Sequence, residues 1–305
     1  MRDHPTRRVE RLLTLRQFPG LADAELAELA VIAENVVERF YPAGARVAGP
    51  ARPAAIQMVV AGRLAAVDGS RTWVPHHAVG AVEVIAGRAS VAPMTAEVDT
   101  RTLEIAADDF RELLADNFTV MSTAWRLLAA RLLAAGREGV CDELSRRAAR
   151  RLLVDATSEP LDLVTRIELL RRCLPFPGGY IQAMAALAVA SHEERVPAGA
   201  HVQRAGATAD TVTMIIEGTG RVVGPSPRGE RQVLPGQSVG RLETLAQAPY
   251  VATVEAATPM RLLRVPLPAL LDIMEDHTDF AMALVTQLAA GVLALEAGVS
   301  HAGVN

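Results

Sequence analysis

This chain of 305 residues contains no lysine: all 31 basic residues are arginine. That absence excludes a phosphate-binding loop of the GxxxxGK[ST] kind and a Schiff-base amine. Arginine and alanine richness without lysine reads as the codon usage of a GC-rich genome rather than as a functional signal. Cysteine is nearly absent too. Cys141 and Cys173 stand alone with no CxxC spacing, which leaves neither a zinc site nor a disulfide framework and suits a reducing compartment. Histidines are scattered. His192-Glu193-Glu194 lacks the second histidine of a metalloprotease helix, and no metal or other cofactor is expected. Long apolar runs are missing as well. Met282 to Leu295 is rich in Ala and Leu, but Thr286 and Gln287 interrupt it and Glu296 ends it, so it reads as a packed helix and no membrane span is expected. Met1-Arg2-Asp3-His4-Pro5 has no apolar core behind its charges, so a secretory signal is not expected and the chain is read as cytoplasmic. A net charge of −4 offers no global attraction to nucleic acid or anionic lipid.

What is present is a repeat. Tyr41-Pro42-Ala43-Gly44-Ala45-Arg46-Val47 recurs as Val196-Pro197-Ala198-Gly199-Ala200-His201-Val202, and Val79-Gly80-Ala81-Val82-Glu83 recurs as Val239-Gly240-Arg241-Leu242-Glu243. A period of about 155 to 160 residues is the size of a whole domain, not of a solenoid unit. The half-chains are therefore read as two related domains, 1–136 and 173–305, joined by a charged helical connector, 137–172.

Each copy opens on an apolar helical period: Leu26, Leu29, Ile32 and Val36 in the first, Ile181, Met184, Leu187 and Ala188 in the second. Asp23 is the expected N-cap of the first, with Glu25 in its first turn. Short apolar runs punctuated by Gly and Pro follow, as in a small β-barrel or jelly roll. Both copies then return to helix. Phe110, Leu113, Leu114, Phe118, Met121, Trp125, Leu128 and Leu132 form one stripe; Leu270, Ile273, Met274, Phe280, Leu284, Leu288 and Val292 answer it. Stripes this wide are core or a homodimer seam. In the connector, Arg146, Arg147, Arg150 and Arg151 make two arginine pairs one turn apart, nearly balanced by acids. They are read as a solvated face or as a docking site for an acidic protein partner.

The helix, the Pro-x-Gly strand turns, the strands Val59-Val60-Ala61-Gly62 and Ile215-Ile216-Glu217-Gly218, and the Gly80- and Gly240-led short helices together resemble the cyclic nucleotide-binding domain. This is the fold of bacterial catabolite-activator sensor domains and of the regulatory subunits of cyclic-AMP-dependent kinase. The resemblance covers nearly the whole chain. It implies an α+β, mainly β, fold class: two tandem eight-stranded jelly rolls flanked by helices. It also implies a phosphate-binding cassette in each copy, in which a Glu after the Gly takes the ribose hydroxyl and an Arg takes the cyclic phosphate. Carried onto this sequence, the Glu falls on Ala81 and Arg241, and the Arg on Ser90 and Tyr250. Losing one charge-assisted pair of this kind costs roughly 2–5 kcal/mol, about 30- to 3,000-fold in affinity.

Other cassette residues stand beside these. Arg88 is read as a surface residue or as one turned inward. Arg241 is a solvated helix-start residue or meets an anion from a new angle. Glu83 and Glu243 cap or brace their helices, and the Tyr250 ring fills the vacated pocket.

Three functions remain. The first is a non-catalytic regulatory or scaffolding protein acting on a protein partner, within a larger assembly. The second is a sensor of a different small ligand or an unusual nucleotide, other than cAMP or cGMP, that controls a partner. The third is a DNA-binding regulator, which is not expected, because the residues after Glu296 are too few for a helix-turn-helix. No catalytic motif appears.

Overall fold

A computed structural model describes residues 5–22, 24–49, 54–88, 91–136, 160–173, 180–223 and 231–296. Two compact units emerge. Unit 1 takes in Met1–Ala124 and Val285–Ser300; unit 2 takes in Trp125–Leu284.

The first copy begins with α1 (Pro5–Leu15) and α2 (Leu26–Asn35). Glu25, not Asp23, is the N-cap of α2: its backbone N–H donates to Glu28 Oε2 at 3.0 Å, one arm of a capping box. Leu29 and Ile32 are buried as the helical period requires, whereas Leu26 faces outward.

Eight strands follow: β1 (Val37–Tyr41), β2 (Arg46–Ala48), β3 (Ala55–Ala61), β4 (Leu64–Ala66), β5 (Thr72–Trp73), β6 (Ala78–Val79), β7 (Met94–Ala96) and β8 (Thr100–Ala106). The short helix α3 (Ala81–Ile85) lies between β6 and β7, and α4 (Ala107–Asp116) and α5 (Phe118–Ala134) close the copy. Asp108 and Asp109 sit in the first turn of α4, where their charge suits the helix dipole, but Ala106 is the N-cap.

The second copy repeats this order. It has α6 (Leu163–Cys173), α7 (Ile181–Ala190), β9 (His192–Val196), β10 (His201–Gln203), β11 (Thr211–Glu217), β12 (Gly220–Val223), β13 (Arg231–Val233), β14 (Ser238–Val239), α8 (Arg241–Ala246), β15 (Thr253–Ala256), β16 (Met260–Pro266), α9 (Leu267–Asp276) and α10 (Thr278–Glu296).

Both copies fold their strands into two four-stranded antiparallel sheets of one topology. The orders are β1-β8-β3-β6 with β2-β7-β4-β5, and β9-β16-β11-β14 with β10-β15-β12-β13. This is the two-sheet jelly roll that the resemblance implied, eight strands per copy. Even the irregularities recur: the register shifts at Val59/Ala61 and Ile215/Glu217, and again at Arg46/Ala48 and His201/Gln203. A bulge in each copy therefore precedes Gly62 and Gly218. At Gly62 (φ +90°) a Cβ would stand 2.5 Å from the Asp99 carbonyl oxygen, so only glycine fits. The inner faces of the second jelly roll meet in a core of Val196, Val202, Ile215, Val233, Val254 and Leu262.

The two apolar stripes are each broken in backbone, at Asn117 and at His277, so that each is a pair of helices rather than one rod. Leu114, Met121, Trp125, Leu132, Phe280, Leu288 and Val292 are buried, as the core reading of the stripes requires. α10 is long and apolar enough for a membrane span by length and composition alone, but Phe280, Ala281, Val285, Ala289 and Val292 are buried, in line with the packed helix read from the sequence.

Candidate functional site

The short helix of each copy starts from a glycine in the left-handed region, Gly80 at φ +89° and Gly240 at φ +76°. Both glycines are buried and close-packed. A Cβ at Gly80 would lie 2.6 Å from the Ala55 carbonyl oxygen, and one at Gly240 2.6 Å from Tyr250 Cε1. The chain thus passes from sheet to helix at a point where no side chain fits, and Glu83 and Glu243, in the first turn of each helix, reach a cleft.

Strand register shows that the two clefts are one site in duplicate. Leu64 pairs with Trp73 and Ala96, as Gly220 pairs with Val233 and Ala256. By that register Ala66 matches Val222, and Arg71 matches Arg231. The first cleft, of ≈ 780 Å³, is lined by Ala66, Arg71, Glu83 and Ala92 among others; the second by their counterparts Val222, Arg231, Glu243 and Ala252. A hairpin arginine and a cassette glutamate are therefore present in both. The sequence reading missed Arg71 and Arg231. The signal was available, since the two lie 160 residues apart, the same offset as Gly80 and Gly240.

The clefts differ in what surrounds this shared pair. In the first, Ala81 is half-buried and brings no charge, while Glu83 and the exposed Arg88 line the cleft with Asp68, Trp73 and, from α10, Leu293 and Glu296. Arg71 Nη1 donates to Glu296 Oε2 at 3.0 Å. Ser90, the counterpart of Tyr250, lies outside the described residues.

The second cleft encloses only ≈ 30 Å³, room for about two waters. Tyr250 packs its ring on Gly240 and donates its hydroxyl to the Thr211 carbonyl at 3.0 Å, an oxygen that also accepts from Thr244 Oγ1 at 3.1 Å. Burial raises the Tyr250 phenol above its ordinary value. The buried ring packs behind Gly240 and is not among the residues that line the remaining space.

Arg241 and Glu243 both line the second cleft. Arg241 is half-buried and lines the cleft, and desolvation pushes its guanidinium down to about 10. Glu243 is 1% exposed and makes no side-chain cap on α8. The connector arginines Arg146, Arg147, Arg150 and Arg151 lie outside the described residues. Among the described residues no cluster of His, Cys, Asp or Glu could hold a metal ion.

The family model of the cyclic nucleotide-binding domain matches residues 193–277, which hold the second jelly roll and its cassette. No curated protein matches. Similar solved structures include the regulatory subunit of a cAMP-independent protein kinase A from Trypanosoma brucei. It is 16% identical, covers 92% of this chain and 94% of its own, and has a TM-score of 0.34. The corresponding subunit from Trypanosoma cruzi bound to guanosine is 17% identical over 98% and 95%, with a TM-score of 0.35. The sensor domain of the transcriptional regulator DNR from Pseudomonas aeruginosa is 21% identical over 47% and 98%, with a TM-score of 0.38. At these values the likenesses bear on neither ligand nor partner.

Proposed function

We propose that this chain, whose second copy is a cyclic nucleotide-binding domain by family, is a non-catalytic regulatory protein that does not bind cAMP or cGMP in the family's usual way and acts by docking a protein partner. One observation carries the reading. At the two positions where the family places its ribose acceptor and its phosphate clamp, the second copy has Arg241 in the cleft wall and Tyr250 hydrogen-bonded to Thr211, around a space of ≈ 30 Å³. A nucleotide needs a cavity of about 300 Å³ or more. Exposed apolar side chains on outer elements support docking: Phe40 on β1, Val164 on α6 and Val189 on α7 are each about two-thirds exposed or more, at 66%, 70% and 71%.

The test is isothermal titration of the full chain with cAMP and with cGMP. No saturable heat is expected at micromolar nucleotide. A dissociation constant of about 1 μM or tighter, roughly −8 kcal/mol, overturns the reading. Capture from the native host, with mass spectrometry of the bound proteins, identifies the partner.

The open first cleft favours a second reading, a sensor of some other ligand. Its ≈ 780 Å³ lies within the size range of small-molecule sites, and Trp73, Arg71 and Arg88 line it. Native mass spectrometry of protein from its own host decides this. A bound small molecule lost on Trp73→Ala supports it; a ligand-free mass counts against it.

A further inference from the structure

The walls of the open first cleft all belong to unit 1, and their charges are not spread evenly. Arg71 is 48% exposed and Arg88 is exposed, whereas Glu296 is 21% exposed and Glu83 is half-buried. Charges that stand in water are screened; those partly removed from it act more strongly. The acids therefore set the sign of the potential inside the cleft. Glu296 is answered by Arg71 at 3.0 Å. Asp68 is exposed, and its Oδ1 accepts from the Ser70 backbone N–H at 2.9 Å and from Ser70 Oγ at 2.6 Å. Glu83 has neither an ion pair nor a side-chain hydrogen bond among the described residues. Its place in the first turn of α3 suits the helix dipole, but a helix of five residues supplies only part of a compensating charge. Arg71 and Arg88 set against Asp68, Glu83 and Glu296 leave the lining at −1.

The apolar part of the wall is Trp73, Leu293 and Pro93, with Trp73 half-buried. This ring belongs to the open cleft alone. Trp73 sits opposite Leu64, and at the matching place in the second copy Val233 sits opposite Gly220, 2% exposed in the core. The matching acid there, Glu243, is 1% exposed. Only the first cleft thus combines an aromatic wall, an accessible carboxylate and room for a small molecule.

We propose that the first cleft binds a protonated amine with an aromatic body, its ammonium on the Glu83 carboxylate and its ring against Trp73. An ammonium brings three N–H donors to an acid that has none, and its charge is attracted to the face of an indole. An anion of the same shape would meet the Glu83 charge instead. This proposal rests on the sensor reading of the cleft and names the chemistry of what is sensed.

The test is calorimetric titration of the full chain with three probes of one shape: 2-phenylethylamine, 2-phenylethanol and 3-phenylpropionate, at pH 7 and constant ionic strength. The amine is expected to saturate in the millimolar range or tighter, about tenfold or more tighter than the neutral and anionic probes. Glu83→Gln should weaken the amine by about tenfold or more, and Glu112→Gln, at an exposed acid of α4 outside the cleft, should leave it unchanged. Fluorescence places the site. The chain has two tryptophans, and Trp125 is 1% exposed, so a response to the amine comes from Trp73 and should vanish in Trp73→Phe while calorimetry still records binding. The proposal is overturned if no probe saturates, if the alcohol or the carboxylate binds as tightly as the amine, or if Glu83→Gln binds the amine as wild type does. The comparison of probes uses wild type alone, so it holds even if a variant fails to fold. Tight binding of the alcohol or the carboxylate with a Trp73 response removes the amine and leaves the sensor reading standing; a ligand-free native mass with no probe bound removes both.

Discussion

Single charges show how far the two copies have drifted on one frame. In the first, Arg39 of β1 pairs with Glu104 of β8 at 3.0 Å. At the matching positions of the second, Glu194 of β9 pairs with Arg264 of β16, so the cross-strand attraction is kept with its signs exchanged. Next to it the sign is kept and the burial changes. Arg101 and Glu38 face solvent, 53% and 54% exposed, at 3.4 Å. Their counterparts are Arg261, 2% exposed, and Glu193, joined at 2.6 Å, with Glu217 added at 3.1 Å. Removing Arg261 would strand Glu193 near the core, and Arg261→Ala is expected to destabilise unit 2 by about 3–5 kcal/mol. Arg101→Ala is expected to cost about 1 kcal/mol or less. Urea unfolding followed by circular dichroism measures both, and equal effects would refute the distinction.

Acid sensitivity follows from the same residues. A hydrogen bond from Arg261 holds the Glu193 carboxyl below its usual range. Burial opposes the charge of Glu104, but hydrogen bonds from Gln57, Arg39 and Tyr41 outweigh it and lower that carboxyl too. A carboxyl lowered on folding contributes stability above its unfolded value and loses it as pH falls through the folded one. The melting temperature should therefore drop below about pH 4.5, and Glu104→Gln should flatten the drop. A slope unchanged in that variant would contradict the assignment.

Among the elements, the glycine-to-helix junction places the site. Gly240→Ala forces a left-handed φ and brings Cβ to 2.6 Å from Tyr250 Cε1. Gly44→Ala has a similar φ of +81° with nothing within 4 Å. Both substitutions strain the backbone; only the first adds a clash. Gly240→Ala is expected to lower stability by clearly more than the roughly 1 kcal/mol expected of Gly44→Ala, as read by thermal unfolding. Parity between them would mean that Tyr250 yields at no cost. The helical stripes were legible as helices from their period, but the breaks at Asn117 and His277 were not. An apolar period continues across a backbone break as readily as along a rod, and neither residue is a proline or glycine.

For the molecule as a whole, the chain divides in sequence between two copies, yet the compact units do not follow that division. Unit 1 includes Val285–Ser300, and Trp125 onward belongs to unit 2. A fragment of residues 1–136 thus lacks part of unit 1. It is expected to unfold at lower temperature than unit 1 in the intact chain and to regain stability when residues 160–305 are supplied in trans. Calorimetry on fragment, mixture and intact chain checks this, and a fragment as stable as the intact chain would rule it out.

The duplication and the succession of helix, short strands and helix could be read from the sequence, because each depends on local pattern, period and turn residues; the eight-strand count came from the resemblance alone. Arg71 and Arg231 share the 160-residue offset of the repeat, but only strand pairing placed them in the clefts. The place of Arg241 in the cleft wall, the packing of Tyr250 on Gly240 and the contrast of ≈ 780 against ≈ 30 Å³ also needed the folded chain. Which way a side chain points, and how much room it leaves, depends on neighbours up to 225 residues away, such as Arg71 and Glu296. Local sequence holds no record of such neighbours, and packing alone brings them together.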